Sequence, residues 1–304
     1  MLTLFSIPKP FQGHTGVIQR NALRSWALLQ PTCEIVLLGD DAGVAEAAKE
    51  CGAVHVPHVA KNEHGTPLIS DLFAQAQARG RHERLCYVNA DIILMSDFAR
   101  AMARVAQSGA PSVAVGCRWD CDIQEPLEFG ADWEEKLRSE ARSRGKRQRD
   151  WLIDYFCFTR GVWGEIPPFA VGRTVWDNWL LYRTRAAGAR LVDVTPVVVA
   201  VHQNHDYGHI KSSAQGAYNG PEAERNLELA GGEAHCFSIK DATHVLTLQG
   251  LRRALDRDQF RRYLSRVPTL HPNWRWMART TDRYFRSPAR FLWKLVDVLT
   301  YERV

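Results

Sequence analysis

The chain has 304 residues with 45% apolar, 24% charged and 10% aromatic side chains, a balance that excludes disorder, collagen-like repeats and a disulfide-stapled miniprotein. The net charge of +5 is uneven: residues 251–304 hold 13 Arg/Lys against 5 Asp/Glu and residues 1–250 hold 26 against 29, so a near-neutral body carries a basic tail. Seven cysteines, an odd number scattered in apolar runs such as Leu85-Cys86-Tyr87-Val88, point to reduced, mostly buried thiols.

In chain order, short apolar runs alternate with helix-period segments, the pattern of a mostly parallel sheet covered by helices. Leu2–Ile7 is a first strand stopped by Pro8 and Pro10, and Ile18, Ala22, Trp26 and Leu29 mark a helix over Val17–Leu29. Glu34–Leu38 is a second strand ended by Gly39-Asp40-Asp41, followed by a helix over Val44–Cys51 and a third strand over Val54–Val59. A loop over Lys61–Pro67 and a helix near Leu68–Ala78 come next. Leu85–Val88 leads into Asn89-Ala90-Asp91 and the apolar Ile92-Ile93-Leu94, before a helix over Phe98–Ala106 and a strand over Ser112–Cys117. Residues 118–150 break the rhythm and are expected as a polar insertion, read as a solvated loop before a site. Trp151–Arg160 has strand character, Trp176–Ala187 reads as a helix, and Arg190–Val201 is a β-branched run with a Pro inside. Helical patterns dominate from His244.

Three places carry candidate chemistry. Asn89-Ala90-Asp91 follows a strand, and in open parallel sheets ligands bind outside the carboxyl ends of strands; Asp91 is a candidate ligand for Mg²⁺ or Mn²⁺, or a turn cap. Asp177 opens a helix that Gly188 closes, and is either its cap or a general base for an attacking hydroxyl. Val199 to His209 ends a β-branched strand with His202, His205 and His209, which are metal ligands or hydrogen-bonded surface groups. Their spacing is not that of His-Glu-x-x-His enzymes, and no paired cysteines stand nearby for a structural zinc.

In this order, the three signals resemble the GT-A fold nucleotide-sugar glycosyltransferases, in particular the inverting family 2-like enzymes, over roughly residues 1–210. Asn89-Ala90-Asp91 is similar to their Asp-x-Asp motif with the first acid replaced, and Asp177-Asn178-x-Leu180-x-x-Arg183 to the acidic turn that supplies the base. Lys61-Asn62-x-x-Gly65 is similar to a stretch lining the donor pocket. Ser6, Ile7, Pro8 and Lys9, with Asp40 and Asp41, fall where that fold holds the nucleoside, and His202 where some members place a histidine on the metal. The resemblance implies a Rossmann-like α/β sheet flanked by helices, with a donor half over residues 1–117, an acceptor half over 118–240 and a helical basic extension over 241–304. It also implies a divalent metal on Asp91, held with help from His202 or His205, and a nucleotide-diphosphate sugar as donor. Lys9 or Arg20 adds positive charge to the diphosphate, and Asp177 deprotonates an acceptor hydroxyl, inverting the anomeric carbon.

The acceptor is expected to be a glycan or lipid-linked glycan, with Arg118, Trp119, Asp120, Asp154 and Trp176 as candidate contacts. Trp274, Trp276, Tyr284, Phe285, Phe291 and Trp293 among the arginines of the tail leave two readings open: docking on the domain, or lying at an anionic membrane surface. No nucleic-acid module is present. With no long apolar run and no basic-flanked leader, the chain is expected in the cytoplasm, with peripheral contact at the inner face of the cell membrane as the second reading. A non-catalytic nucleotide-sugar binder and a metal-dependent hydrolase on His202, His205 and His209 are the competing functions. A sugar-phosphate nucleotidyltransferase would need a glycine-rich loop where Pro8-Lys9-Pro10 stands.

Overall fold

Aromatic and β-branched runs that are buried on both faces become the strands of a large central sheet. A computed structural model describes residues 1–205 and 220–274; Asp206 to His209 of the histidine segment and the tail aromatics from Trp276 onward lie outside the described residues. In chain order the elements are β1 (Thr3–Ser6), α1 (Gly13–Ala27), β2 (Glu34–Leu38), α2 (Val44–Cys51), β3 (Val54–Val56), α3 (Ile69–Arg79), β4 (Arg84–Val88), β5 (Ile92–Ile93), α4 (Ser96–Ala106), β6 (Ser112–Val115) and β7 (Arg118–Cys121). There follow α5 (Trp133–Ser143), β8 (Lys146–Arg147), β9 (Tyr155–Thr159), α6 (Trp176–Ala186), β10 (Arg190–Asp193), β11 (Ala200–Gln203), α7 (Pro221–Ala230), β12 (His244–Thr247), β13 (Gly250–Arg253) and α8 (Arg257–Leu270).

Nine strands form the main sheet in the order β13-β12-β10-β6-β9-β4-β1-β2-β3. β1 pairs in parallel with both β2 and β4, and β6 with β10, while β9 runs antiparallel between β4 and β6. From β1 the chain steps outward to β2 and β3, then returns to place β4 on the other side of β1, so strand order reverses between β1 and β4. In open α/β sheets ligands bind outside the carboxyl ends of the strands at such a reversal. A second sheet, β5-β11-β7-β8, stands beside it. Trp26 of α1, fully buried, joins the two by donating from Nε1 to Ile92 O at 2.8 Å. On the other face Phe5, Phe73, Tyr87, Phe158 and Trp163 pack ring to ring, with centroids 4.5–6.1 Å apart in the contacts among them.

Three expectations change. Residues 118–150 are not a loop throughout: they hold β7, α5 and β8. Strands this short show no period, and α5 buries only Leu137 and Ala141, so neither stands out in the sequence. The single run over Arg190–Val201 splits into β10 in the main sheet and β11 in the small one, with Pro196 in the turn between them. Residues 244–253, expected as helical, form an antiparallel hairpin whose first strand pairs in parallel with β10. One compact unit runs over Met1–Ala254, and a second begins at Leu255. In it, α8 is capped by Asp256, which accepts from Gln259 N at 2.8 Å. Among the described residues no helix is long and apolar enough to cross a membrane.

Candidate active site

The reversal between β1 and β4 is where the polar residues converge. After Val88 the chain turns at once: Ile92 N donates to Asn89 O at 3.1 Å, and Asn89 N donates to Asp154 O at 2.8 Å. This turn presents Asp91 to β11, which lies antiparallel to β5 with His202 opposite Ile92. The Asp91 carboxylate, the His202 ring and the His205 ring come together so that one ligand atom from each lies within 4.8 Å of the others. His205 Nε2 is 3.2 Å and His202 Nε2 3.7 Å from Asp91 Oδ2. Asp91 Oδ1 is buried and has no hydrogen-bond partner among the described residues. Burial alone would raise the Asp91 pKa, but the His205 hydrogen bond and the charges of His202, His205 and Lys9 outweigh it and bring it down to about 2. Two imidazoles and one carboxylate, whose Oδ1 is buried without a partner among the described residues, form a donor set that fits Mn²⁺ or a similar divalent ion.

Behind this cluster runs a chain of buried polar groups. His202 Nδ1 sits 3.2 Å from Asp120 Oδ1, without the alignment of a hydrogen bond. Burial pulls the His202 pKa down, yet Asp120 and Asp91 push it up further, and the net shift is upward. Asp120 accepts from Arg118 Nε at 2.8 Å and from the Gln148 side chain. Arg118 Nη1 reaches Asp154 Oδ1 at 2.6 Å, which also accepts from Asn89 Nδ2 at 2.8 Å, and Tyr87 OH donates to Asn89 Oδ1 at 2.9 Å. Arg118, Asp120 and Asp154 were expected to meet the acceptor; here they brace His202 and the turn at residue 89, and Arg118 and Asp154 are buried. Trp176 is likewise buried, 5.4 Å from the Tyr87 ring and 5.7 Å from Phe156. Trp119, on β7, is half-buried against the small sheet's core. Asn89 is engaged by Tyr87 and Asp154, which accounts for an amide here: a carboxylate would face the Asp154 carboxylate at 2.8 Å.

Asp177 stands in the first turn of α6. Among the described residues its Oδ1 accepts from the next backbone, Asn178 N at 2.9 Å. Burial raises its pKa to about 7, the Asn178 bond opposes the shift, and the charge of Asp154 adds to it. The charges of Asp91, Asp154 and Asp177 add to burial in raising the pKa of the Tyr87 hydroxyl. The entry to α6 is strained: Val175 has φ 89° and ψ −39°, and is the one non-glycine with positive φ among the described residues. A β-branched residue there costs about 1–3 kcal/mol.

The donor-side candidates scatter more. Ser6 is buried at the end of β1 with an unpartnered Oγ, followed by half-buried Ile7, buried Pro8 and exposed Lys9. Lys9 reaches Asp91 by its charge, and its backbone N donates to Gln19 Oε1 at 2.7 Å. Arg20, expected at the diphosphate, instead pairs with Glu50 at 3.3 Å and lies over the Phe11 ring. Asp40 pairs with Lys61 at 3.2 Å, and Asp41 is exposed. Asn62 closes its own loop, accepting from His64 N and Thr66 N and donating to Glu222 at 2.7 Å, with Gly65 at φ 79° inside the turn. Glu222 of α7 also holds Arg173 at 2.6 Å, a link between the two loops that no local pattern in the sequence marks.

Neither a protein-family model nor a curated protein sequence matches the chain. Among solved structures, TarS 1–349 of S. aureus, in complex with UDP-GlcNAc, matches at a TM-score of 0.53 and 11% identity, covering 95% of this chain and 77% of that one. GalNAc-T7, with UDP, GalNAc and Mn²⁺, matches at 0.48 and 14%, covering 76% of this chain, which spans 48% of its length. Glucosyl-3-phosphoglycerate synthase from Mycobacterium tuberculosis, with Mg²⁺ and UDP, matches at 0.45 and 13%, covering 76% and 80%. The sheet order, the reversal between β1 and β4 and the likeness to TarS give one conclusion: the chain has the GT-A fold, the architecture of nucleotide-sugar glycosyltransferases.

Proposed function

We propose that the protein is an inverting glycosyltransferase that moves a sugar from a nucleotide-diphosphate sugar to a hydroxyl of a glycan or glycolipid. The observation that carries this reading is the Asp91-His202-His205 cluster at the strand-order reversal, with a second carboxylate, Asp177, whose charge adds to that of Asp91 in raising the Tyr87 pKa. The UDP-GlcNAc bound to TarS supports a nucleotide-sugar donor. Asp91, His202 and His205 would hold the cation. Bound there, a divalent ion supplies positive charge that offsets the charge growing on the departing diphosphate. Lys9 adds to that field. Asp177 takes the proton from the attacking hydroxyl, and a pKa near 7 suits a base that works close to neutral pH. The raised Asp177 pKa favours an enzyme over a passive binder, which needs no such group.

Thermal shift with Mn²⁺ and a panel of UDP, GDP, CMP and dTDP sugars identifies the donor, because a ligand specific to the native state raises its melting point. Mn²⁺-dependent binding of one of them, followed by transfer to an acceptor, is the expected result; failure of every one rejects the reading. The basic tail supports a peripheral contact with anionic lipid, since α8 sets Phe260, Tyr263, Leu264 and Val267 at helical spacing beside Arg257, Arg261, Arg262 and Arg266. Flotation with anionic vesicles, lost when residues 255–304 are deleted, checks that contact.

A further inference from the structure

Gln203 lies between the two histidines of the cluster, and its side chain is fully buried. Such a position admits an apolar residue of similar volume, and burying an amide there is unfavourable unless every polar atom is bonded. Here every one is. Nε2 donates to Asp91 O at 3.1 Å and to Ile18 O at 2.7 Å, and Oε1 accepts from Asn21 Nδ2 at 2.9 Å. The Gln203 backbone N also donates to Asp91 O, at 3.3 Å. The Asp91 carbonyl is thus gripped twice by one residue, whose chain neighbours include His202 and, two positions on, His205.

Asn21 anchors the grip. Its Nδ2 donates also to Glu125 O at 3.2 Å and its Oδ1 accepts from Leu127 N at 2.8 Å, so the amide pair ties α1, the segment after β7 and the turn at Asp91 to one another. The nearby Asn89-Ala90-Asp91 turn is fixed at its first residue, where Asn89 O accepts from Ile92 N and Asn89 N donates to Asp154 O, and Gln203 holds its last residue. The Asp91 carbonyl is thus the point at which β11, which carries His202, holds the residue that carries the carboxylate.

We propose that Gln203, anchored by Asn21, is the positioning residue for divalent-cation binding, setting Asp91 against His202 and His205. This rests on the reading of those three residues as cation ligands. Outer groups that orient metal ligands are worth about 10–100-fold in metal affinity.

The test is Mn²⁺ binding to the full chain by titration calorimetry, with melting temperature measured in parallel. Asp91→Ala tests the underlying reading, and Gln203→Met the inference. Thr3→Val is the control: it removes a buried hydrogen bond, Thr3 Oγ1 to Glu34 at 2.6 Å, at the opposite end of β1. The expected result is no binding in Asp91→Ala, binding weakened about 10-fold or more in Gln203→Met, and wild-type affinity in Thr3→Val despite its lower melting temperature. Unchanged affinity in Gln203→Met with binding lost in Asp91→Ala overturns the inference alone. Absence of Mn²⁺ binding in the wild type overturns both. If Gln203→Met does not fold, Asn21→Ser, which leaves Gln203 in place without its anchor, is held to the same criterion.

Discussion

Asp177 combines two properties that pull against each other. Burial favours its neutral form, so a chain with this carboxyl loses stability as pH rises from the ordinary carboxylate range near 4 through the folded value of about 7. The charged form that is costly to fold is the one a base requires. Asp177→Asn should therefore lower kcat by about 10²–10⁴-fold while raising the melting temperature at pH 8, with the gain shrinking toward pH 4. Turnover assays and thermal melts at the two pH values check both halves; wild-type turnover in this variant rejects the base. The strained Val175 belongs to the same picture. Val175→Gly relieves the positive φ and should stabilise the fold by about 1 kcal/mol, read by urea unfolding, while lowering kcat because the turn that aims Asp177 is looser.

Between elements, Arg118 is a second tie, besides Trp26, between the small sheet and the large one. It sits on β7, and its guanidinium binds Asp120 in its own strand and Asp154 at the start of β9. Removing a buried cation leaves two carboxylates facing one another, so Arg118→Met should cost about 3–5 kcal/mol, measured by denaturant unfolding. The sequence shows these residues as polar and crowded but not as paired. Arg118 and Asp154 are 36 positions apart, and nothing in the periodicity of a four-residue strand says what it lies beside. For the same reason an acceptor role is a natural expectation for Asp154 and Trp176 from the sequence, whereas the structure spends both on support. β1, β2 and β4 were legible because each lies in a largely apolar run bounded by turn residues, and α6 because its apolar residues recur at helical spacing.

At the scale of the whole molecule, the proposed cation site would link pH to ligand affinity. Imidazole binds a metal only when neutral, and the His202 pKa is raised, so protons compete with the ion over a range that extends above the ordinary histidine value. Mn²⁺ affinity should rise with pH through that range, and the melting-temperature gain from saturating Mn²⁺ should grow in parallel and vanish in Asp91→Ala. A pH-independent gain would show that the ion binds elsewhere.

The sequence by itself determined the α/β alternation, the strand that ends at Asn89-Ala90-Asp91 and the helix that starts beside Asp177, because burial of an element's own face is written in its local spacing. Only the tertiary structure decided that the run over residues 190–201 divides between two sheets and that His205 joins Asp91. It also brought Gln203, 112 positions away, to donate to the Asp91 carbonyl. Such choices depend on which backbone carbonyl or charge each side chain meets after the chain has closed on itself, and that is a property of the packed whole.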